Sequence, residues 1–150
     1  MQMLDNWGLV SIYADRLNNL IIFPNGESKE GDTREIDVDF KVNDPFTEME
    51  LEDTLIKALE LCHSKIPPDI NELSAIESAI GKKGWWKVTK DLKYLSLYWN
   101  KSDGFLVKPY KRIPRKGYIL LVENGISLGK KPEPGQLAAA VKKAIEFSRL

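Results

Sequence analysis

An α+β fold, an antiparallel β-sheet carrying about three packed helices, is predicted by three observations. Short β-like runs are separated by turn signals rich in Gly, Asn and Asp. Three stretches carry apolar residues at helical spacing. The last of these stretches repeats the first: Leu51 to Ser64 (LEDTLIKALELCHS) set against Leu137 to Leu150 (LAAAVKKAIEFSRL) at an offset of 86 gives the identities Leu51/Leu137, Lys57/Lys143, Ala58/Ala144 and Glu60/Glu146. Leu55/Val141, Leu59/Ile145 and Leu61/Phe147 match conservatively. Self-similarity at a fixed offset points to one supersecondary unit used twice, a weak internal duplication, although two amphipathic helices can also resemble each other by pattern alone.

Element by element, the short apolar stretch Leu9 to Ala14 leads to Leu20 to Phe23, a β-like run closed by the turn signal Pro24-Asn25-Gly26. Glu27 to Arg34 is polar and reads as a loop. Glu35 to Val42 alternates Ile36, Val38, Phe40 and Val42 with Glu35, Asp37, Asp39 and Lys41, the pattern of one strand with a buried face and an acidic face. Thr47 and Glu50 have capping-box spacing ahead of a helix from Glu48 to about His63, striped by Leu51, Leu55, Ala58, Leu59 and Cys62. Pro67 and Pro68 stop it. Asp69 to Ile80 reads as a second helix ending at Gly81. Tyr94 to Trp99 and Phe105 to Tyr110 form a hairpin across Asp103-Gly104, and Lys116 to Val122 and Ile126 to Leu128 another across Asn124-Gly125. Pro134 and Gly135 open the final helix, Gln136 to Arg149. With more strands predicted in the second half than in the first, a twofold axis is not expected.

At 150 residues, 43% hydrophobic and 29% charged, the chain has the size and composition of a single globular domain spanning residues 1–150. Its longest apolar runs are strand length, not bilayer length. The beginning MQMLDNWG lacks the basic and apolar regions of a signal peptide. A single cysteine, Cys62, excludes an intramolecular disulfide, and cytoplasmic residence is the expectation.

The net charge is zero, but the charge is polarised. Residues 27–53 hold eleven acids against three bases, and residues 82–116 eleven bases against two acids. Either the poles stay apart and steer different partners, or they pair with each other across the fold.

Catalytic signatures fail on spacing. Cys62 and His63 are helix neighbours whose side chains diverge by about 100°, too far for a thiol–imidazole pair. One cysteine and one histidine cannot supply the usual zinc ligands, and Asp32, Asp37 and Asp39 lack the spacing of a calcium loop. Gly81-Lys82-Lys83-Gly84 follows a helix and lacks the Ser/Thr of a phosphate loop. No catalytic residue, metal or cofactor is therefore expected. The segment 82–116 does interleave cations with aromatics, Tyr98, Lys108 and Tyr110 among them. That pattern suits a single-stranded nucleic-acid platform and equally suits core aromatics on a half-solvated sheet.

Trp85-Trp86-Lys87, the Lys116-Gly117-Tyr118 strand, and Pro134-Gly135-Gln136-Leu137 with its Ala144-Ile145 helix together resemble the immunity proteins of bacterial contact-dependent growth inhibition systems. The likeness covers about Trp85 to Leu150 and, more faintly, Glu35 to Ser64. It implies a non-enzymatic inhibitor that binds the C-terminal toxin domain of the cognate effector, commonly a nuclease, and blocks its active site. An acidic surface could then take the place of nucleic-acid phosphates. Asp37, Asp39, Asp44, Glu48, Glu50, Glu52 and Asp53 are the candidate partner-binding residues, several of which could serve equally as helix N-terminal charges. The runner-up reading is a nucleic-acid-binding module using the segment 82–116, and a third is an enzyme with a carboxylate-only site, for which the sequence selects no pair of acids.

Overall fold

The computed structural model describes residues 1–150. An eight-stranded antiparallel sheet is covered on one face by two long helices, so the fold is α+β as predicted. The strands are β1 (Trp7–Ala14), β2 (Leu20–Glu27), β3 (Thr33–Glu35), β4 (Phe40–Val42), β5 (Lys93–Asn100), β6 (Gly104–Ile113), β7 (Gly117–Leu120) and β8 (Ile126–Gly129). The helices are α1 (Glu48–Glu60), α2 (Ala75–Ile80), α3 (Trp85–Val88) and α4 (Gln136–Phe147). Strand order is β3-β2-β1-β5-β6-β7, with β4 also on β2 and β8 also on β6.

The two halves are the same unit, β-β-β-β-α, joined where β1 pairs β5. Register establishes this residue by residue. Val10 faces Pro24 and, 85 positions on, Leu95 faces Pro109. Asn25 faces Glu35 as Tyr110 faces Leu120, and Glu27 faces Thr33 as Arg112 faces Tyr118. Ile36 N–H donates to the Pro24 carbonyl as Leu121 N–H donates to that of Pro109. One residue is gained before β8, where Ile22–Phe40 becomes Val107–Ile126 beside a bulge, and the offset is 86 from there into the helix. Contrary to the sequence expectation, each half contains four strands, and their local twofold relation centres on the paired, buried Ser11 and Ser96.

Proline explains why each outer partner is split in two. Pro24 and Pro109 lie inside long strands, although the former was expected to end one. Each interrupts the outer edge, where β4 gives way to β3 and β8 to β7. Glu35 to Val42 is consequently two short strands, and Asp37 and Asp39 lie on the crossing between them instead of along a strand face. Likewise β7 and β8 both pair with β6 and not with each other, and Asn124 belongs to a 3₁₀ turn.

The helix stripes of α1 and α4 bury Leu51, Leu55, Ala58 and Leu59 beside Leu137, Val141, Ala144 and Ile145. They lie over Val10, Ile12, Leu95, Leu97 and Val107, the aliphatic face of the central strands. The predicted helix Asp69–Ile80 contracts to α2, because Ser74 caps it: its hydroxyl accepts from Glu77 N–H while Glu77 returns to Ser74. The connection between the halves, with α2 and the unpredicted α3, crosses the opposite face and packs Ala75, Ile76, Val88 and Leu92 on Tyr13 and Phe23.

Candidate functional site

The sheet face turned away from α1 and α4 has a different chemistry. Ser11 and Ser96, small and polar, sit at its centre, and Tyr13, Tyr94, Tyr110 and Tyr118 surround them. Tyr94 meets the rings of Tyr13, Tyr110 and Tyr118 at centroid distances of 5.1, 4.7 and 5.0 Å. Hydroxyls link underneath: Tyr94 with Ser11 at 3.1 Å, Tyr110 with Ser96 at 3.2 Å, and Asn25 Nδ2 donating to Ser11 at 3.0 Å. Burial raises the Tyr94 phenol far above its ordinary value. Tyr118 is pushed up to about 12, burial outweighing the opposing pull of Arg112. These phenols therefore stay neutral and act as hydrogen-bonding groups.

On the first half's side this face opens into a cleft of about 640 Å³ between β1-β2-β3 and the connecting segment around Pro68 to Glu77. Glu35 lies within it. Tyr13 Oη donates to Glu35 Oε2 at 2.7 Å. Burial is the main influence on the Glu35 carboxyl and holds it above the usual range, against lowering by Tyr13 and Ser11. No cation pairs with it: Arg34, the one base in the cleft, is engaged at 2.8 Å by Asp32 and at 3.7 Å by Glu30. A half-buried carboxylate whose partners are hydroxyls and not cations, in a cleft of ligand size, marks a candidate site.

The acids singled out in the sequence do not converge there. Asp37 lies in a separate cleft with Lys29 and Lys65. Glu48, Glu52 and Asp53 meet Lys130 and Lys131 in a third, of about 720 Å³. Glu52 has a structural task in it, accepting from Gly135 N at 3.0 Å and Ala138 N at 2.8 Å and so capping α4, which has no side-chain cap of its own. Asp37, Asp39, Asp44, Glu48, Glu50 and Asp53 are exposed.

Sequence reading missed Glu35 as a pocket residue, along with Asp69 and Glu72 and the aromatic walls Tyr13, Tyr94 and Trp85. The available signal was the alternate face of β1, Leu9-Ser11-Tyr13, which is neither clean core nor clean solvent.

The basic segment 82–116 offers no row of free rings. Tyr94 and Tyr110 pack on each other, with Tyr118 of β7 also on Tyr94, and Tyr98 is half-buried beside Trp7 with Lys108 Nζ 5.0 Å from its centroid. Nor do the charge poles neutralise each other: none of the four ion pairs joins residues 27–53 to residues 82–116. Sheet order places β3 at the acidic end and β7 at the basic end. No three His, Cys, Asp or Glu side chains gather as a metal cluster, and no helix is long and apolar enough to cross a membrane.

No protein-family model matches the chain, and no curated protein matches it in sequence. Solved structures share its fold at low identity. A protein of unknown function from Neisseria meningitidis superposes with a TM-score of 0.74 at 11% identity, over 99% of this chain and 100% of that one. A chain of the CdiA-CT/CdiI toxin and immunity complex from Yersinia pseudotuberculosis superposes with a TM-score of 0.68 at 11% identity, over 96% and 98% respectively.

Proposed function

We propose that this chain is an immunity-type inhibitor that binds the C-terminal toxin domain of a cognate contact-dependent growth inhibition effector in the cytoplasm, with no chemistry of its own. The observation that carries this reading is the likeness of fold to a chain of a toxin and immunity complex, over 96% of this chain and 98% of that one. Charge segregation supports it. An unneutralised acidic end suits a basic nuclease cleft, whose active site the inhibitor would cover in place of nucleic acid. Asp37, Asp39, Asp44, Glu48, Glu50 and Asp53 are free to contribute to that surface, whereas Glu52 contributes through the fold by holding α4.

The test is co-expression with the toxin domain of the effector encoded beside this chain. Restored growth, and co-purification of a one-to-one complex, are expected. Charge reversal, Asp37→Lys with Asp39→Lys, should weaken binding and make it less salt-dependent. Undiminished binding would remove the β3–β4 crossing from the interface, and failure of the toxin domain to co-purify would overturn the inhibitor reading.

A further inference from the structure

We infer that the cleft around Glu35 is a receptor for a guanidinium or alkylammonium group, supplied by an arginine or lysine side chain of a protein partner. Choosing a protein as the source rests on the inhibitor reading; the cation specificity stands on the cleft itself.

Three features define the ligand. First, charge: five carboxylates, Asp32, Glu35, Asp69, Glu72 and Glu77, face the cleft against the single base Arg34. Four of the five already have partners: Asp69 lies 3.8 Å from Lys29 Nζ, and Glu72 accepts from Asp69 N at 2.9 Å. Asp32 is held by Ser28 and Arg34, and Glu77 accepts from Gly84 N at 2.7 Å while capping α2. Glu35 is different: half-buried, it accepts from the Tyr13 hydroxyl and forms no ion pair. Second, the walls are rings, Tyr13, Tyr94 and Trp85, whose electron-rich faces favour a cation in a partly desolvated site. A carboxylate at the base with aromatic walls selects a flat or compact organic cation over an anion or a neutral group.

Third, exposed aliphatic side chains flank the acidic rim. The segment between α1 and α2 exposes Ile66 at 63%, Ile70 at 77% and Leu73 at 43%, and Ile70 lines the cleft. Exposed aliphatics beside a charged pocket give apolar residues flanking an incoming side chain something to bury, which a free metabolite cannot exploit.

The repeat shows why the cleft exists on this side only. Leu9, Asn25 and Thr33 line it, and their counterparts 85 positions on are Tyr94, Tyr110 and Tyr118. The second half fills with phenol rings the space that the first leaves open, and replaces Glu35 with Leu120.

The experiment needs no toxin. The full chain is titrated with Nα-acetyl-L-argininamide while the Trp85 indole and Tyr13 ring resonances are followed by NMR. Nα-acetyl-L-citrullinamide, with a neutral urea in place of guanidinium and no free α-ammonium, is the matched probe. Saturable shifts are expected with argininamide, at least about tenfold weaker with citrullinamide and in Glu35→Gln, since a charge-assisted hydrogen bond is lost in each. The rim variant Asp69→Asn with Glu72→Gln, whose side chains are not core, should weaken binding about two- to threefold. Equal response to the two amides, or a response unchanged in Glu35→Gln, overturns the cation site. To test the source, the peptide Gly-Leu-Arg-Leu-Gly is compared with Gly-Gly-Arg-Gly-Gly. Tighter binding of the leucine-flanked peptide supports a protein side chain; equal binding overturns that part. Loss of cation binding leaves the toxin co-purification result intact, and failed co-purification leaves the cation result intact, so the two readings fail separately.

Discussion

The first half of the chain, β1 to α1, and the second, β5 to α4, share register, proline position and helix stripe, yet present different surfaces. On the helix-covered face the match is close, because both halves contribute to one aliphatic core and must interdigitate there. On the other face each half is free to differ. The second half packs Tyr94, Tyr110 and Tyr118 into a filled layer; the first leaves a cleft with a half-buried acid. The repeat thus separates scaffold from site: what coincides between the copies holds the fold, and what departs is available for recognition.

Substitutions can break or sharpen this contrast. The largest effect should come from the shared layer. Leu59→Ala in α1 removes a fully buried side chain packed in the common core and should cost about 2–5 kcal/mol in urea unfolding. Ile145→Ala, its counterpart in α4, should fall in the same range; a loss well below it in either helix would show that the copies do not carry the core equally.

Next in size is the link between the two helices. Glu52→Ala strips the α4 N-terminus of the acceptor for Gly135 and Ala138 and should cost about 1–2 kcal/mol, while Glu50→Ala and Asp53→Ala stay within about 0.5 kcal/mol beyond any loss of helix-terminal charge. Equal effects at the three positions would deny Glu52 its special place.

At the cleft the sign reverses. Because the folded chain holds the Glu35 carboxyl above its ordinary value, it binds the proton more tightly than the unfolded chain does. Stability is therefore greatest with the carboxyl protonated and is lost as pH rises through the raised folded value. Glu35→Gln removes that loss. The variant should melt higher than the parent at pH 7, and the gap should close as pH falls toward about 4, where the parent carboxyl protonates in both states. A destabilised variant at pH 7 would mean that the carboxylate serves the fold and not a ligand.

The smallest stability effect belongs to Thr33→Tyr, which imports the second copy's residue at an exposed position. Stability should change by no more than about 0.5 kcal/mol, while argininamide binding falls as the ring enters the cleft mouth. Unaltered binding would show that the tyrosine layer is not what closes the second half.

Much of this was legible in the chain itself. Helical spacing located α1 and α4, and the offset of 86 between them marked the repeat. Those signals survive because burial imposes a local period on any element that packs one face.

What failed were readings that depended on a partner distant in sequence. Pro24-Asn25-Gly26 has turn composition, yet it continues a strand because β3 and β4 divide its outer edge. Asn124-Gly125 signals a hairpin, yet β7 and β8 both find a longer neighbour in β6. Asp69 to Leu73 has helical spacing, yet Ser74 and Glu77 form the stronger start.

By itself, the sequence determined the class of fold, the two amphipathic helices and their common pattern, and the segregation of acid from base, all of them consequences of local composition and period. Tertiary structure alone decided that the halves meet at Ser11 and Ser96, that Glu52 caps the other copy's helix, and that Glu35 turns inward where Asp37 and Asp39 do not. These three depend on contacts between residues 22 to 86 positions apart, and strand pairing and docking set the direction of such side chains where no local propensity can.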